Sequence, residues 1–194
     1  MRARDKGCMK ARWTLTSFLD SDGRVARAAR GYSLRIGRWR LVIKGGLPLE
    51  ELTRRFHDRF VKQIVFEYNL LLNEGINELW TLVAGTGATK FDNANACIGV
   101  GDSATAADAT QTGLQATTNK LYKAMDASYP TYGSSQKVTH RSTFGSGDAN
   151  FAWNEITVAN GNSDAAKNLN RKVQAMGTKA SGTTWVATQD ITLS

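Results

Sequence analysis

With 194 residues, 41% of them apolar, the chain is long enough for one domain with a proper core, and its apolar share suits a β-rich, loop-rich protein. No run approaches the roughly 18 uninterrupted apolar residues of a membrane span, and Cys8 and Cys97 have no CxxC partner, which disfavours a disulfide framework, a zinc site or a redox motif. The net charge of +8 is uneven: residues 1–63 hold 16 Lys+Arg against 6 Asp+Glu, and residues 64–194 hold 9 against 11. Basicity therefore belongs to one region, and such asymmetry marks an arm that meets an acidic partner, either nucleic acid or an acidic protein surface.

The start, MRARDKGCMKAR, is basic but no apolar stretch follows it, so it does not read as a signal peptide. Met9 is an alternative start to Met1. Reduced thiols fit a cytoplasmic setting. Residues 1–44 carry 12 Lys+Arg against 3 acids, interleaved with Trp13, Phe18, Tyr32 and Trp39. Aromatics among arginines can stack on bases or on protein. Ser33–Ile43 alternates as a strand with a basic face, and Asp22-Gly23 and Gly45-Gly46 read as turns. Three readings fit this arm: a solvated leader, a protein-binding arm or a nucleic-acid arm. Its candidate partner-binding residues are Arg24, Arg27, Arg30, Arg35, Arg38, Trp39 and Arg40.

Leu47-Pro48-Leu49-Glu50-Glu51 starts a helix, because proline and acids suit a first turn. Leu49, Leu52, Phe56 and Phe60 recur at helical spacing, with basic residues in the later turns. His57 reads as a surface or packing residue. Val61–Tyr68 leans to strand through its β-branched residues. A second helix runs from a capping Asn73, with Ile76, Leu79, Trp80, Leu82 and Val83 as its apolar face, to Gly85 in a left-handed terminal position. The basic arm is expected over residues 1–60, and a β-rich structural domain over 61–194.

Ala96–Gly101 is a short strand that runs into a polar Ala/Thr/Asp segment ending at Leu114. Gly99-Val100-Gly101-Asp102-Ser103-Ala104 fits a GxGxxA dinucleotide fingerprint formally. However, Asp102 would sit in the turn, the next residues are poor helix formers, and no acid follows about twenty residues on to hold a ribose. The two glycines are better explained by close backbone packing or a bulge. From Leu114 the pattern is β: strands are expected over 121–127, 137–144, 150–158, 168–176 and 184–193, with turns at 129–133, 145–148, 160–163 and 177–182. The fold class is mainly β, an antiparallel β-sandwich-like domain with one or two α-helices and an extended basic N-terminal arm. The last strand is expected to be pinned inside a sheet.

Catalytic chemistry has little to stand on. His57 and His140 have no nucleophile or carboxylate at a known spacing. Asp102, Asp108, Glu155 and Asp164 follow neither a calcium loop nor a local carboxylate-pair signature. Glu155, mid-strand between Trp153 and Thr157, is expected to be buried and paired with a cation such as Arg171, since a lone buried carboxylate is costly. Neither an enzyme activity nor a cofactor or metal is expected.

Leu71–Trp80 with its N…G helix, Ile98-Gly99-Val100-Gly101-Asp102, and the Thr105–Leu114 run ending in Leu follow one another in an order that resembles a class of structural proteins of tailed bacteriophages. A central Glu155, a late Leu169-Asn170-Arg171 and the closing Thr184–Ser194 extend the resemblance over residues 70–194. It implies a non-enzymatic virion protein, assembled in the host cytoplasm. Relatives of this pattern occur in tail fibres and baseplates, but Ile156-Thr157-Val158 stands where the fibre pattern has a Gly-Leu step, and no fibre-shaft repeat is present. The type implied is an auxiliary head protein, a capsid decoration (cement) protein bound to the major capsid protein and to copies of itself. The alternatives are a tail, neck or baseplate component, or a nucleic-acid-binding protein.

Overall fold

A computed structural model describes residues 9–36, 39–43 and 46–193. Among them the chain forms strand β1 (Met9–Leu19), helix α1 (Arg24–Arg30), strands β2 (Tyr32–Ile36) and β3 (Trp39–Ile43), and helix α2 (Leu49–Arg55). A 3₁₀ turn at His57–Arg59 leads into β4 (Phe60–Glu67), β5 (Leu70–Leu71) and helix α3 (Asn73–Ala84). The remainder is β6 (Cys97–Gly101), β7 (Lys120–Ala124), β8 (Thr131–Ser134), β9 (Lys137–Phe144), β10 (Ala152–Ala159), β11 (Asn170–Thr178) and β12 (Thr183–Leu193).

Two antiparallel sheets face each other as a sandwich, in the orders β4-β1-β12-β9-β8 and β5-β11-β10-β6-β7. Alternation decides what lies between them. Trp13 and Leu15 of β1, Trp185, Ala187 and Ile191 of β12, and Phe144 of β9 turn inward. Opposite them lie Ile98 and Val100 of β6, Trp153 and Ile156 of β10, and Met176 of β11. Trp153 is the centre: its ring meets Phe144 at 4.7 Å and Trp185 at 4.8 Å, both edge-on, the geometry aromatic quadrupoles favour. A second cluster covers the outer face of the first sheet, where Val25, Ala28 and Ala29 of α1 and Leu52 and Phe56 of α2 pack on Phe18 and Val186.

The mainly β, sandwich-like class is as the pattern indicates, and β12 is indeed interior, between β1 and β9. Several local expectations change. Met9–Leu19, inside the expected basic arm, is a strand in the middle of a sheet, and Trp13 and Phe18 are fully buried. They are core residues and not stacking anchors. There are three α-helices where one or two were expected, because α1 is a two-turn helix too short to leave a periodic signal. Ser33–Ile43, read as one strand, is two antiparallel strands, β2 and β3, that form a two-stranded sheet of their own.

The expected apolar face of α3 is largely on the surface: Trp80 is 65% and Val83 76% exposed. The helix is docked by its first turns instead. Leu72 is buried, and Gly75 approaches the Leu169 backbone so closely that a Cβ would lie 2.5 Å from its Cα. Asn73 does not cap the helix, and Gly85 ends it with φ −128°, not left-handed. The expected turn at 129–133 contains β8, which pairs with β9 across Ser135 and Gln136. Both of these have positive φ, the backbone of a tight hairpin turn, without the Asn-Gly spelling that would announce it.

Because β1 lies between β4 and β12, removal of residues 1–44 takes a central strand with it, together with the core side chains of Trp13, Leu15 and Phe18 and those of α1. The truncated chain is expected to lose cooperative unfolding and near-ultraviolet circular dichroism. A shortened chain that unfolds cooperatively at the full-length midpoint would contradict this placement.

Candidate functional site

The region flagged for partner binding divides between helix α1 and the two-stranded ribbon that follows it in the chain. At the base of α1, the Asp20 carboxylate accepts hydrogen bonds from the N–H groups of Val25 and Ala26 (2.9 Å each) and from Thr184 Oγ1 (2.7 Å). It thereby satisfies donors that a helix start leaves open. This fixes the rotation of α1. Val25, Ala26, Ala28 and Ala29 go down onto the sheet, and Arg24, Arg27 and Arg30 form an exposed line at intervals of three. Arg30 also anchors the helix, donating to Thr143 O at 2.8 Å and to Asp148 Oδ2 at 3.0 Å. Arg27 and Arg30 border a surface depression of about 410 Å³ formed with Gly31 and Gly145–Asp148. Beside it, Arg59 donates to both oxygens of Asp22 (2.7 and 2.9 Å), which holds that carboxyl far below the usual range.

The ribbon is β2–β3. Arg35 and Arg40 are directly paired across it, and Ile36 pairs with Trp39. Arg38 lies outside the described residues. The chain leaves the body at Ala29 and returns at Leu47, and one buried side chain holds both ends. Arg141, 1% exposed, donates from Nη2 to Ala29 O (2.5 Å), from Nη1 to Leu47 O (2.8 Å) and Tyr129 Oη (3.3 Å), and from Nε to Asp126 Oδ2 (2.9 Å). Asp126 in turn accepts from Thr143 N and Thr143 Oγ1. Leu47 N donates to Ala28 O, and a Cβ on Gly46 would collide with Ala29 O. Six of the seven flagged residues therefore lie on α1 or on the ribbon that follows it. Arg141 and Asp126, which hold the ends of the ribbon segment, carry no signal in the sequence, because their partners are scattered over a hundred residues.

The carboxylates singled out in the sequence do not come together. Asp102 receives Asn119 Nδ2, Asp108 receives the Thr110 N–H and hydroxyl, and Asp164 pairs with Lys120 and Tyr122. Among the described residues no group of three His, Cys, Asp or Glu side chains is placed to hold a metal ion. Gly99 and Gly101 lie within β6, where a Cβ on Gly99 would be 2.7 Å from the Tyr122 ring and one on Gly101 would strike Glu155. Close packing is thus their role, and no helix follows them to cradle a pyrophosphate.

Glu155 is fully buried and is paired with Arg171, as expected, at 2.6 Å. The pair also organises the Ala/Thr/Asp run. Glu155 accepts from the N–H groups of Gln115 (3.0 Å) and Ala116 (2.7 Å), and Arg171 donates to Gln111 Oε1 and Thr105 O (2.9 Å each). Glu74 of α3 accepts from Gly113 N and Asn168 N. A loop without regular structure is thus held at five residues by two buried groups and one helix. His140 is buried at the floor of an apolar cleft of about 290 Å³ lined by Leu79, Phe91, Pro130, Tyr132 and Val138. Burial pulls its pKa down to about 4, against a small opposing effect of Asp190. His57 is exposed.

No family model matches the chain, and no curated protein or solved structure matches it either.

Two outcomes follow from these side chains. Arg171→Met leaves Glu155 buried without its cation and is expected to cost about 3–5 kcal/mol in urea unfolding, with the 102–119 loop becoming the first site of proteolysis. His140 is neutral when folded but protonates near pH 6.5 when unfolded. The unfolded chain therefore binds more protons as pH falls from about 6.5 to about 4, and stability should decline by at most about 3 kcal/mol over that window. Unfolding measured against pH should show this slope in the wild type and lose it in His140→Leu.

Proposed function

We propose that the chain is a non-enzymatic structural protein of a tailed-bacteriophage virion, a capsid decoration protein that binds the major capsid protein lattice and stabilises the shell. The observation that carries this reading is the way the residues of the resemblance combine. In the sequence the N…G helix, the I-G-x-G strand, the Ala/Thr/Asp run, the central Glu and the late L-x-R are separate pieces in a fixed order. In the fold they form one unit: Glu155 and Arg171 hold the run, Glu74 of the helix holds its far end, and Gly101 makes room for Glu155. Residues that depend on one another physically have reason to recur together, which gives the resemblance more weight than its short motifs have singly.

The basic side of the molecule supports the docking role. Arg24, Arg27 and Arg30 are presented in one line by a helix seated on the sandwich, next to the rooted ribbon. Such a surface suits a lattice lined with carboxylates, where charge complementarity speeds docking and fixes orientation. The sandwich behind it is a rigid body suited to sit on a shell.

The test adds the purified full-length chain to shells lacking it. Binding to saturation at a copy number that matches the capsid lattice, with shells that resist heat better afterwards, is the expected result. Arg24→Glu with Arg27→Glu should weaken binding about tenfold or more and flatten its dependence on salt. A stoichiometry of a few copies per particle would move the chain to the tail or neck. Failure to bind any shell, together with duplex DNA affinity that falls steeply with salt, would replace the reading with a nucleic-acid one.

A further inference from the structure

Three strands of the first sheet bring three polar side chains into one row across the interior. The register sets Trp13 of β1 opposite Gln189 of β12, and Gln189 opposite His140 of β9. All three alternate in step with the core residues of their strands, so all three face the second sheet. They are 0%, 0% and 2% exposed. Directly opposed side chains are neighbours, with Cβ atoms about 5 Å apart.

Each member of the row carries a nitrogen that nothing answers. Trp13 Nε1, Gln189 Nε2 and His140 Nδ1 have no hydrogen-bond partner among the described residues. The free end of the glutamine is fixed by its neighbours. Val158 N donates to Asn170 Oδ1, so Asn170 Nδ2 is the end that faces Gln189, and it donates to Gln189 Oε1 at 3.2 Å. A backbone N–H can only donate, which excludes the flipped amides. Trp13 and Gln189 therefore offer donors alone, and a buried donor left unpaired costs the full desolvation of the group. The row calls for an oxygen that the described residues do not supply.

Its His140 end opens to the surface. His140 is the floor of the cleft of about 290 Å³, with Phe91, Pro130, Tyr132 and Val138 as walls and Leu79 of α3 beside them. The size suits one substituted ring: an apolar cavity of about 150 Å³ holds benzene, and sites for drug-sized molecules begin near about 300 Å³. The rings of Phe91 and Tyr132 favour an aromatic body. Charge favours a neutral one. Lys90 and Asp92 both line the cleft, one of each sign, and burial keeps His140 uncharged, so neither an anion nor a cation is preferred.

We propose that the cleft above His140 is a binding site for a small uncharged aromatic molecule, whose ring lies between Phe91, Pro130 and Val138 and whose carbonyl or hydroxyl oxygen accepts a hydrogen bond from the buried row that begins at His140. A water molecule at the floor would answer a nitrogen and leave the apolar walls uncovered. A plain hydrocarbon would cover the walls and leave the nitrogens unanswered. A ring with one acceptor oxygen does both.

The inference stands apart from the decoration-protein reading, and its test uses the full-length chain in solution. The probes are acetophenone, a ring with an acceptor oxygen, ethylbenzene, of similar shape without the oxygen, and benzoate, which carries a charge. The chain has two histidines, and the exposed His57 serves as an internal reference. Acetophenone is expected to bind with a dissociation constant on the order of 1 mM and to shift the His140 ring signals in nuclear magnetic resonance while those of His57 stay in place. Ethylbenzene should bind about tenfold more weakly, the worth of one net hydrogen bond, and benzoate no better than ethylbenzene. Leu79→Trp, which closes the mouth from a partly exposed position on α3, should abolish acetophenone binding with the unfolding midpoint unchanged. His140→Phe should bring acetophenone and ethylbenzene to equal affinity by saturation-transfer difference; if this variant does not fold, the probe comparison and the Leu79 variant carry the test.

His140 signals that stay fixed at about 20 mM acetophenone would overturn the inference and leave a buried water as what answers the row. Equal affinity of the wild type for acetophenone and ethylbenzene would overturn the hydrogen-bonding floor. Tighter binding of benzoate would overturn the neutral class of ligand, and binding that survives Leu79→Trp would overturn the place of the site.

Discussion

A guanidinium withdrawn from water has to be answered at each of its donors, and two such groups hold this protein together. Arg171 lies between the second sheet and the Ala/Thr/Asp loop, answered by Glu155, Gln111 and Thr105. Arg141 lies between the first sheet and the inserted segment of residues 20–59, answered by Asp126, Ala29, Leu47 and Tyr129. The contacts of Arg171 fall on a loop without regular structure, and those of Arg141 on the last turn of α1 and on Leu47 before α2. Each is held because a rigid, planar donor in the sheet reaches several of its acceptors at once. A hydrophobic side chain of the same volume would fill the space without specifying which carbonyls come to it.

The two clamps serve different ends. Arg171 gathers parts already close to the sandwich, and its loop covers the second sheet. Arg141 gathers residues 29 and 47, on either side of the two-stranded ribbon in the chain. The basic residues follow that division. Arg24, Arg27 and Arg30 line the helix at the base, and Arg35 and Arg40 lie on the ribbon beyond it. The acids of the base, Asp20 and Asp22, are spent inside it on the α1 start and on Arg59. Arg24, Arg27 and Arg30 are left exposed on α1.

The catalytic question illustrates how the same residue types read differently once packed. Glu155 is a buried carboxylate beside a glycine-rich strand, a description that would fit an active site. Its oxygens are wholly engaged by Arg171 and by two backbone N–H groups, so none is left for a substrate. His140 is buried in an apolar cleft and kept neutral there. Glu155 is explained by the fold it supports.

The sequence by itself determined the sandwich class, the interior position of the last strand and the pairing of Glu155 with a cation. All three rest on alternation of apolar residues along a strand and on the cost of burying a lone charge, which are local or nearly local facts. It also located the charge on one half of the chain. Only the tertiary structure decided that Met9–Leu19 is core and not arm, because a strand with arginine and lysine at its start reads as exposed until neighbours are found for it in β4 and β12. Only it decided that Trp80 and Val83 face outward while Gly75 does the docking, since helical spacing defines a face but not what covers it. The Arg141 clamp was the least legible of all: its acceptors are backbone carbonyls, which every residue possesses, so no spelling could have marked Ala29 and Leu47 as its partners.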